Sequence, residues 1–145
     1  MTTPGSVNRA SGTFTVKLTP QELHKQIEGA PVGRLSIDKQ FQGDLDATSI
    51  GEMLSAMTDV KGSAGYVAIE RVTGSLRGKR GTFVLQHNGI MTRGTPQLSC
   101  TVVPDSGTGE LTGLSGSLAI NIVDGKHLYE FEYTLAAQPA SATPQ

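Results

Sequence analysis

The chain has 145 residues, a length typical of one domain with its own core, and 12 Lys plus Arg against 13 Asp plus Glu give a formal net charge of -1. This balance excludes the one-signed field that attracts a protein to nucleic acid or to an anionic membrane, so we expect neither as a partner. The single Cys100 excludes an internal disulfide, and the start of the chain lacks the apolar run of a secretory signal. We therefore expect a cytoplasmic protein.

The composition favours an all-β fold. The chain has 18 Gly residues together with many Thr, Val and Ser residues, which is typical of short strands joined by tight turns. Both ends are small, polar and contain Pro, with too little apolar surface to offset the entropy of ordering. We predict a flexible tail over residues 1–11, one domain over residues 12–135 and a second flexible tail over residues 136–145.

The first two elements are predicted to be a strand and a short helix. In SGTFTVKL, apolar residues alternate with polar ones from Phe14 to Leu18, which is the period of a strand with one buried face. The next segment, TPQELHKQIEG, offers Thr19 as N-cap, Pro20 at the first helical position and Glu22 as the end of a capping box. Gly29 marks a helix end. We expect one short helix directly after the first strand.

The rest of the chain alternates strand patterns with turn residues. GRLSIDKQF turns at Gln42 and Gly43 into DLDATSIGEML, and the connection from Ser55 to Gly65 has no clear period, so it is a candidate lid. Five further strand patterns follow, and the total is about eight, at which a sheet can close into a barrel that holds side chains or one small ligand. Closure also removes exposed edges. We predict a closed, eight-stranded, antiparallel meander barrel of the lipocalin type.

The segment VAIERVTGSLRGKRGTFVLQHNG predicts a hairpin that turns at Gly78 and Lys79. This register places Glu70 directly opposite His87 on an otherwise apolar face. In a pocket of low dielectric constant, a carboxylate beside an imidazole can take part in proton transfer, so Glu70 and His87 are our candidate catalytic residues. The simpler alternative is that the two side chains satisfy each other and hold the strand register without meeting a substrate.

The final hairpin turns at Asp124 and Gly125, a preferred pair for a two-residue turn because both positions need positive φ. It places four pairs opposite each other on the buried face: Ile122 and His127, Ile120 and Tyr129, Leu118 and Phe131, Gly116 and Tyr133. Tyr129, Phe131 and Tyr133 therefore form an inward aromatic stripe, which could select a flat, weakly polar ligand. Ordinary core packing explains the same stripe.

Five separated blocks carry a resemblance to a known family: GRLSIDKQFQGDL, KGSAGYVAIERVTG, GTFVLQH, VVPDSGTGELTGLSGS and DGKHLYEFEYTL. From Ser11 to Leu135 the chain resembles the uncharacterised bacterial domain-of-unknown-function family 3224. That family resembles, more distantly, the allene oxide cyclase barrels, whose GDL hairpin and Gly-rich stretch have counterparts at residues 43–45 and 107–113. The resemblance implies a closed barrel with a central cavity, in a group that includes enzymes that bind a largely apolar substrate and steer its cyclisation. It also implies a homo-oligomer.

Further candidate ligand contacts lie on the middle strands. Those predicted to face the lumen are Tyr66, Phe83, Leu85 and Cys100. Glu52 could reach the barrel mouth as a polar contact, although such a residue is more often a solvated acid. Cys100 is more typical of a small core residue than of a nucleophile, because no adjacent base lowers its pKa. The three His residues lack metal-ligand spacing, so we predict no metal site and no cofactor.

We hypothesise a barrel that binds a small, mostly apolar molecule in its lumen, with Glu70 and His87 as polar contacts and aromatic walls. Its enzymatic form is a cofactor-independent isomerase or cyclase, in which the wall folds the substrate and Glu70 or His87 stabilises developing charge. The alternative is a non-catalytic structural or protein-interaction barrel with a packed lumen and a functional outer surface.

Overall fold

The computed structural model describes residues 7–23 and 31–135 of the chain. Its strands are β1 (Asn8–Gln21), β2 (Val32–Gly43), β3 (Leu45–Met57), β4 (Ala64–Leu76), β5 (Lys79–Thr92), β6 (Thr95–Val102), β7 (Leu114–Val123) and β8 (Lys126–Leu135), with a short 3-10 turn at Gly109–Leu111. Each strand pairs antiparallel with its neighbours in sequence, and β8 pairs with β1. The predicted closed, eight-stranded, antiparallel barrel is therefore confirmed.

β1 begins earlier than the sequence predicts. Its first residue, Asn8, pairs with Tyr133 of β8. Residues 8–11 belong to the barrel rather than to a flexible tail, because the closing β1–β8 pair supplies partners for their backbone groups. The remaining ends of the chain, residues 1–6 and 136–145, lie outside the described residues.

β1 also replaces the start of the predicted helix. Thr19 and Pro20, the expected cap and first helical residue, lie in the strand opposite Ser36 and Leu35 of β2. The helix prediction is wrong at its start, because pairing along β2 satisfies more backbone groups than a local capping box. Residues 24–30, where the rest of the helix was expected, lie outside the described residues, and the described ranges contain no α-helix.

Two hairpin turns set the registers that position the interior. The β7–β8 turn has positive φ at Asp124 (51°) and Gly125 (77°), and the four predicted pairs are confirmed. The β4–β5 turn lies one residue earlier than predicted, at Arg77 (φ 48°) and Gly78 (φ 85°). A turn that moves by one residue changes every cross-strand pair by two positions, so the same side chains still face inward.

The two ends of the barrel differ. At one end, which we call the closed end, the β6–β7 connection folds inward, and Leu111 within it and Leu114 at the start of β7 are both buried. At the other end, the mouth, the chain connects β1 to β2, β3 to β4, β5 to β6 and β7 to β8. The interior is therefore covered at one end by its own chain, and any access for a ligand is to be sought at the mouth.

Aromatic side chains fill the interior next to the closed end. The rings of Phe83 and Phe131 stack with centroids 5.9 Å apart, and the Phe131 and Tyr133 centroids are 5.1 Å apart. The Tyr129 hydroxyl donates to the carbonyl of Gln42 at 3.0 Å and accepts from the Leu45 N–H at 2.9 Å. This half of the interior is a packed core.

Candidate functional site

A group of polar side chains crosses the interior between the packed core and the mouth. Glu70 is fully buried and accepts hydrogen bonds from Lys39 Nζ at 2.8 Å and Ser49 Oγ at 2.6 Å. His87 Nε2 and Tyr66 Oη lie 2.7 Å apart, and His87 Nδ1 lies 3.9 Å from Glu70 Oε2. We call these five residues the polar floor, because they lie between the packed core and the mouth.

Strand alternation explains why these side chains face inward. Lys39 lies between Ile37 and Phe41 on the interior face of β2, and all three side chains are buried. The Lys39 ammonium also lies 5.0 Å from the centroid of the Phe14 ring and 5.8 Å from that of Phe41. Cation–π attraction and the Glu70 carboxylate together offset the cost of removing this ammonium from water.

The predicted pairing of Glu70 with His87 is wrong. Glu70 pairs with Leu85, and His87 pairs with Ala68. Because the register differs by two positions, both side chains still enter the interior and come within 3.9 Å of each other diagonally. The principal partner of Glu70 is Lys39, which sequence reasoning missed.

A signal for that partner was present in the sequence. In SIDKQF the alternation of Ile37, Lys39 and Phe41 assigns the lysine to the buried face. Lysine is rarely buried unless it is paired, so its position on that face points to a buried acid nearby. Alternation also assigns Ser49 to the interior, since it follows Leu45 and Ala47 at a spacing of two residues. The structure places all three side chains on the buried face of β3.

The mouth leaves apolar interior positions in contact with solvent. Leu18, Leu98 and Ile122 lie on the interior face of their strands near this end, yet they are 44%, 47% and 66% exposed. β6 and β7 diverge toward the mouth, since among the described residues their strand pairing is limited to Thr101 and Ser117, near the other end of β6. The strands therefore expose an apolar rim.

A groove opens beside this rim. The β1–β8 pairing ends at Phe14 and His127, while β1 continues to Gln21. The groove, of about 420 Å³, is lined there by Phe14, Val16 and His127, among others. Its volume lies in the range of small-molecule sites.

Residues 10–133 match the model of a family described as protein of unknown function, DUF3224. The chain belongs to the DUF3224 family. A crystal structure of a protein with unknown function from the same family, from Shewanella oneidensis MR-1, is 54% identical to it. The similarity covers 91% of this chain and 99% of that chain, with a TM-score of 0.87. No curated protein matches the chain.

The polar groups of this DUF3224 barrel that lie nearest the mouth are uncharged at neutral pH. Burial lowers the pKa of His87, the Lys39 charge lowers it further, and the Glu70 charge opposes both effects. Burial raises the pKa of Tyr66 to about 12, and that of Cys100 to about 12. A neutral imidazole in contact with a phenol can donate or accept hydrogen bonds, whereas the Cys100 thiol is not activated as a nucleophile.

The other predicted site residues are divided between the core and the outer surface. Those packed in the core are Phe83, Leu85, Tyr129, Phe131 and Tyr133, each no more than 6% exposed. Glu52 faces outward, where its carboxylate pairs with the Arg34 guanidinium at 2.7 Å. The structure therefore brings Tyr66, Glu70, His87 and the nearby Cys100 together and does not bring Glu52 to them. Roles in ligand binding or catalysis stay predictions for all of these residues.

The described part of the chain shows neither a cluster of metal ligands nor a membrane-spanning helix. Within residues 7–23 and 31–135, no group of three or more His, Cys, Asp or Glu side chains could hold a metal ion. No helix in these ranges is long and apolar enough to cross a membrane.

Proposed function

We propose that this DUF3224 barrel binds a small, mostly apolar molecule at its mouth, above the polar floor. One observation carries the proposal: interior-facing Leu18, Leu98 and Ile122 remain exposed at the same end at which the Tyr66 and His87 pair lies. Apolar walls with a few convergent polar groups are the usual composition of a ligand site. Burial of the three exposed side chains by a ligand would be favourable, because it removes apolar surface from water.

Within this proposal the polar residues have different tasks. Both carboxylate oxygens of Glu70 are already used by Lys39 and Ser49, and the side chain has no exposed surface. We therefore assign Glu70 to positioning the polar floor, and His87 with Tyr66 to contacting the ligand. The packed aromatic stripe supports the floor from below.

The experiment is native mass spectrometry of the protein purified from its own host, compared with the denatured mass of the same sample. We expect a non-covalent adduct of defined mass that is lost on denaturation. The same preparation of Leu98→Glu, which places a charge on the exposed apolar rim, should lose the adduct. Failure to detect an adduct under gentle ionisation, both with the purified protein and with the protein in lysate, would contradict the proposal.

The enzymatic form of the proposal is an isomerase or cyclase, as the resemblance to the allene oxide cyclase barrels implies. The apolar wall would hold a folded substrate, and the Tyr66 hydroxyl, which accepts a hydrogen bond from the neutral His87, would donate one to developing charge. The test is incubation of the released molecule with wild-type protein and with His87→Gln, followed by chromatography for an isomer of equal mass. Equal conversion by both proteins would contradict a catalytic His87.

A second candidate function is self-association through the outer surface of β2 to β5. Five large apolar side chains on that surface are 47% to 63% exposed: Ile50, Leu54, Val67, Ile69 and Ile90. Neighbouring grooves of about 470 Å³ and 570 Å³ lie over Leu54 and Val67, which pair directly. A continuous patch of this kind marks an interaction site more often than isolated apolar residues do.

Charge favours a second copy of this chain as the partner. Asp38, Arg34 and Arg71 border the patch, and one acid, Glu52, lies within it opposite Ile69 and forms an ion pair with Arg34. A surface with no net charge and an apolar centre is complementary to another surface of the same composition, and symmetric homo-oligomers use such self-complementary contacts. Nucleic acid or an acidic peptide would require an excess of bases.

Analytical ultracentrifugation tests this candidate. We expect wild-type protein to sediment as an oligomer at micromolar concentration, and Ile69→Glu to sediment as a monomer because it places a charge in the centre of the patch. Thr15→Glu, on the exposed face of β1, is the matched control and should leave the oligomer intact. A monomeric wild-type protein would overturn the candidate, as would an oligomer that Ile69→Glu does not alter.

A further inference from the structure

Charge inside the barrel limits what its mouth can bind. Among the described residues, the charged side chains that are buried in the interior are Lys39 and Glu70. Their charged atoms lie 2.8 Å apart, and the second Glu70 oxygen accepts a hydrogen bond from Ser49. The interior therefore carries one cation and one anion that neutralise each other.

A charged ligand would meet no free counter-ion in this interior. A carboxylate or phosphate drawn to Lys39 would compete with Glu70, and a successful competitor would leave the Glu70 carboxylate buried without its main partner. An ammonium group would find the same carboxylate already occupied by Lys39. Charged groups bind poorly in apolar surroundings unless they gain a partner that replaces water.

The remaining polar groups suit an uncharged ligand. His87 and Tyr66 share one hydrogen bond across 2.7 Å, and their rings meet edge to face with centroids 5.1 Å apart. A phenol oxygen that takes part in one such bond retains capacity for another, as donor or acceptor, through rotation of its O–H group. Tyr66 is only partly buried, and its hydrogen bond to His87 is also only partly buried, so a ligand that enters from the mouth can reach this residue.

We infer that the mouth selects molecules without net charge that combine an apolar body with one hydroxyl or carbonyl group, and that it discriminates against carboxylates, phosphates and amines of the same shape. The inference rests on the proposed binding function and adds the chemical class of the ligand. The hydroxyl or carbonyl group lies against Tyr66 Oη, and the apolar body covers the exposed rim.

Three fluorescent probes of nearly equal shape test this selectivity: 2-naphthol, 2-naphthoate and 2-naphthylmethylammonium. The chain contains no Trp, so naphthalene fluorescence can be followed without overlap from indole. We expect 2-naphthol to bind at least about tenfold more tightly than either ion at pH 7.5, a difference of about 1.4 kcal/mol. Either ion binding as tightly as 2-naphthol would overturn the inference while leaving the binding site in place.

Absence of saturable binding by all three probes would instead contradict the proposed binding function, and the inference with it. Tyr66→Phe provides the specific readout, because it removes the hydroxyl and keeps the ring against His87. We expect this change to weaken 2-naphthol about 3- to 10-fold, the usual effect of one hydrogen bond, and to leave the two ions unaffected. Tyr133→Phe, in the packed core, is the matched control and should change none of the three affinities.

Discussion

His87 Nδ1 lies 3.9 Å from Glu70 Oε2, and the same carboxylate oxygen accepts a hydrogen bond from Lys39 Nζ at 2.8 Å. The closer partner of the carboxylate is therefore the ammonium group, and the imidazole is the more distant one. This order explains why the pKa of His87 is lowered although an acid lies nearby: burial and the Lys39 charge both disfavour the imidazolium, and the Glu70 charge only partly opposes them. Five predictions follow from the contacts around this site and the core beneath it.

The Lys39 and Glu70 pair should show strong coupling. Lys39→Met leaves a buried carboxylate without its ammonium partner, and Glu70→Gln leaves a buried ammonium without its carboxylate, so each change should cost about 3–5 kcal/mol in the free energy of unfolding. The double variant should cost clearly less than the sum of the two. Urea unfolding of all four proteins measures this cycle. Additive losses would show that the two charges do not compensate each other.

The free energy of unfolding should decrease as the pH is lowered, over a range set by the pKa of His87. Its pKa is lowered in the folded protein from 6.5, so below that pH the unfolded chain binds more protons than the folded one, and the free energy of unfolding decreases as pH falls. The contribution is fully present above pH 6.5 and is lost as pH falls toward the lowered pKa. Urea unfolding from pH 7.5 to about 5, above the range of ordinary carboxylates, should show this slope. His87→Gln should reduce it, and an identical slope in that variant would refute the assignment.

The Tyr129 hydroxyl should stabilise the closed half of the barrel. Tyr129→Phe leaves the buried Leu45 N–H without the acceptor that lies 2.9 Å away, which should cost about 1–3 kcal/mol. Tyr133→Phe is the control, since no hydrogen bond of its hydroxyl is found among the described residues, and it should cost less than about 1 kcal/mol. Thermal and urea unfolding would both report the difference. Equal losses in the two variants would contradict a special role of the Tyr129 hydroxyl.

Gly89 makes room for the Tyr66 ring. A Cβ at this position would lie 2.5 Å from a ring carbon of Tyr66 and 2.6 Å from the side chain of Leu98. Gly89→Ala should therefore displace Tyr66 and break its contact with His87, with a loss of stability of about 1–3 kcal/mol. Imidazole chemical shifts of His87 measured by NMR would detect the lost hydrogen bond. Gly33→Ala is the control, because its nearest neighbour would be 3.6 Å away. Unchanged His87 shifts in Gly89→Ala would contradict the prediction.

Cys100 should be unreactive in the folded protein. Burial raises the pKa of its thiol to about 12, so almost no thiolate is present at neutral pH. The residue as a whole is only 4% exposed. An aromatic disulfide reagent at pH 7.5 should modify it slowly in native protein and rapidly in urea. A single equivalent of fast modification without denaturant would mean that the thiol is open to solvent.

Local patterns in the sequence were sufficient for the overall architecture. The Asp124 and Gly125 turn was identified correctly because both residues tolerate positive φ, and its four cross-strand pairs followed from alternation. The turn at Arg77 and Gly78 was placed one residue late, since a basic residue with positive φ is uncommon and carries no clear local signal. A predicted turn position is thus only as reliable as the conformational preference of the residues in it.

The helix expected from Thr19 onward failed for a different reason. Its capping signals are local, whereas β2 supplies a partner strand from a distant part of the chain, and pairing extends β1 to Gln21. Local propensity is a weak guide where a neighbouring strand can satisfy the same backbone groups. The same limit applies to the candidate site. Local alternation paired Glu70 with His87 of the next strand, whereas its main partner, Lys39, lies on the distant strand β2.

By itself the sequence determined the all-β class, the closure of eight strands and the side chains that face inward, because these depend on alternation and turn chemistry within short segments. The tertiary structure alone decided that Lys39 neutralises Glu70, that Glu52 lies outside, and that the mouth keeps Leu18, Leu98 and Ile122 exposed. Those facts depend on register and strand divergence between segments far apart in the chain. No periodicity within one strand specifies which side chain of another strand it will meet.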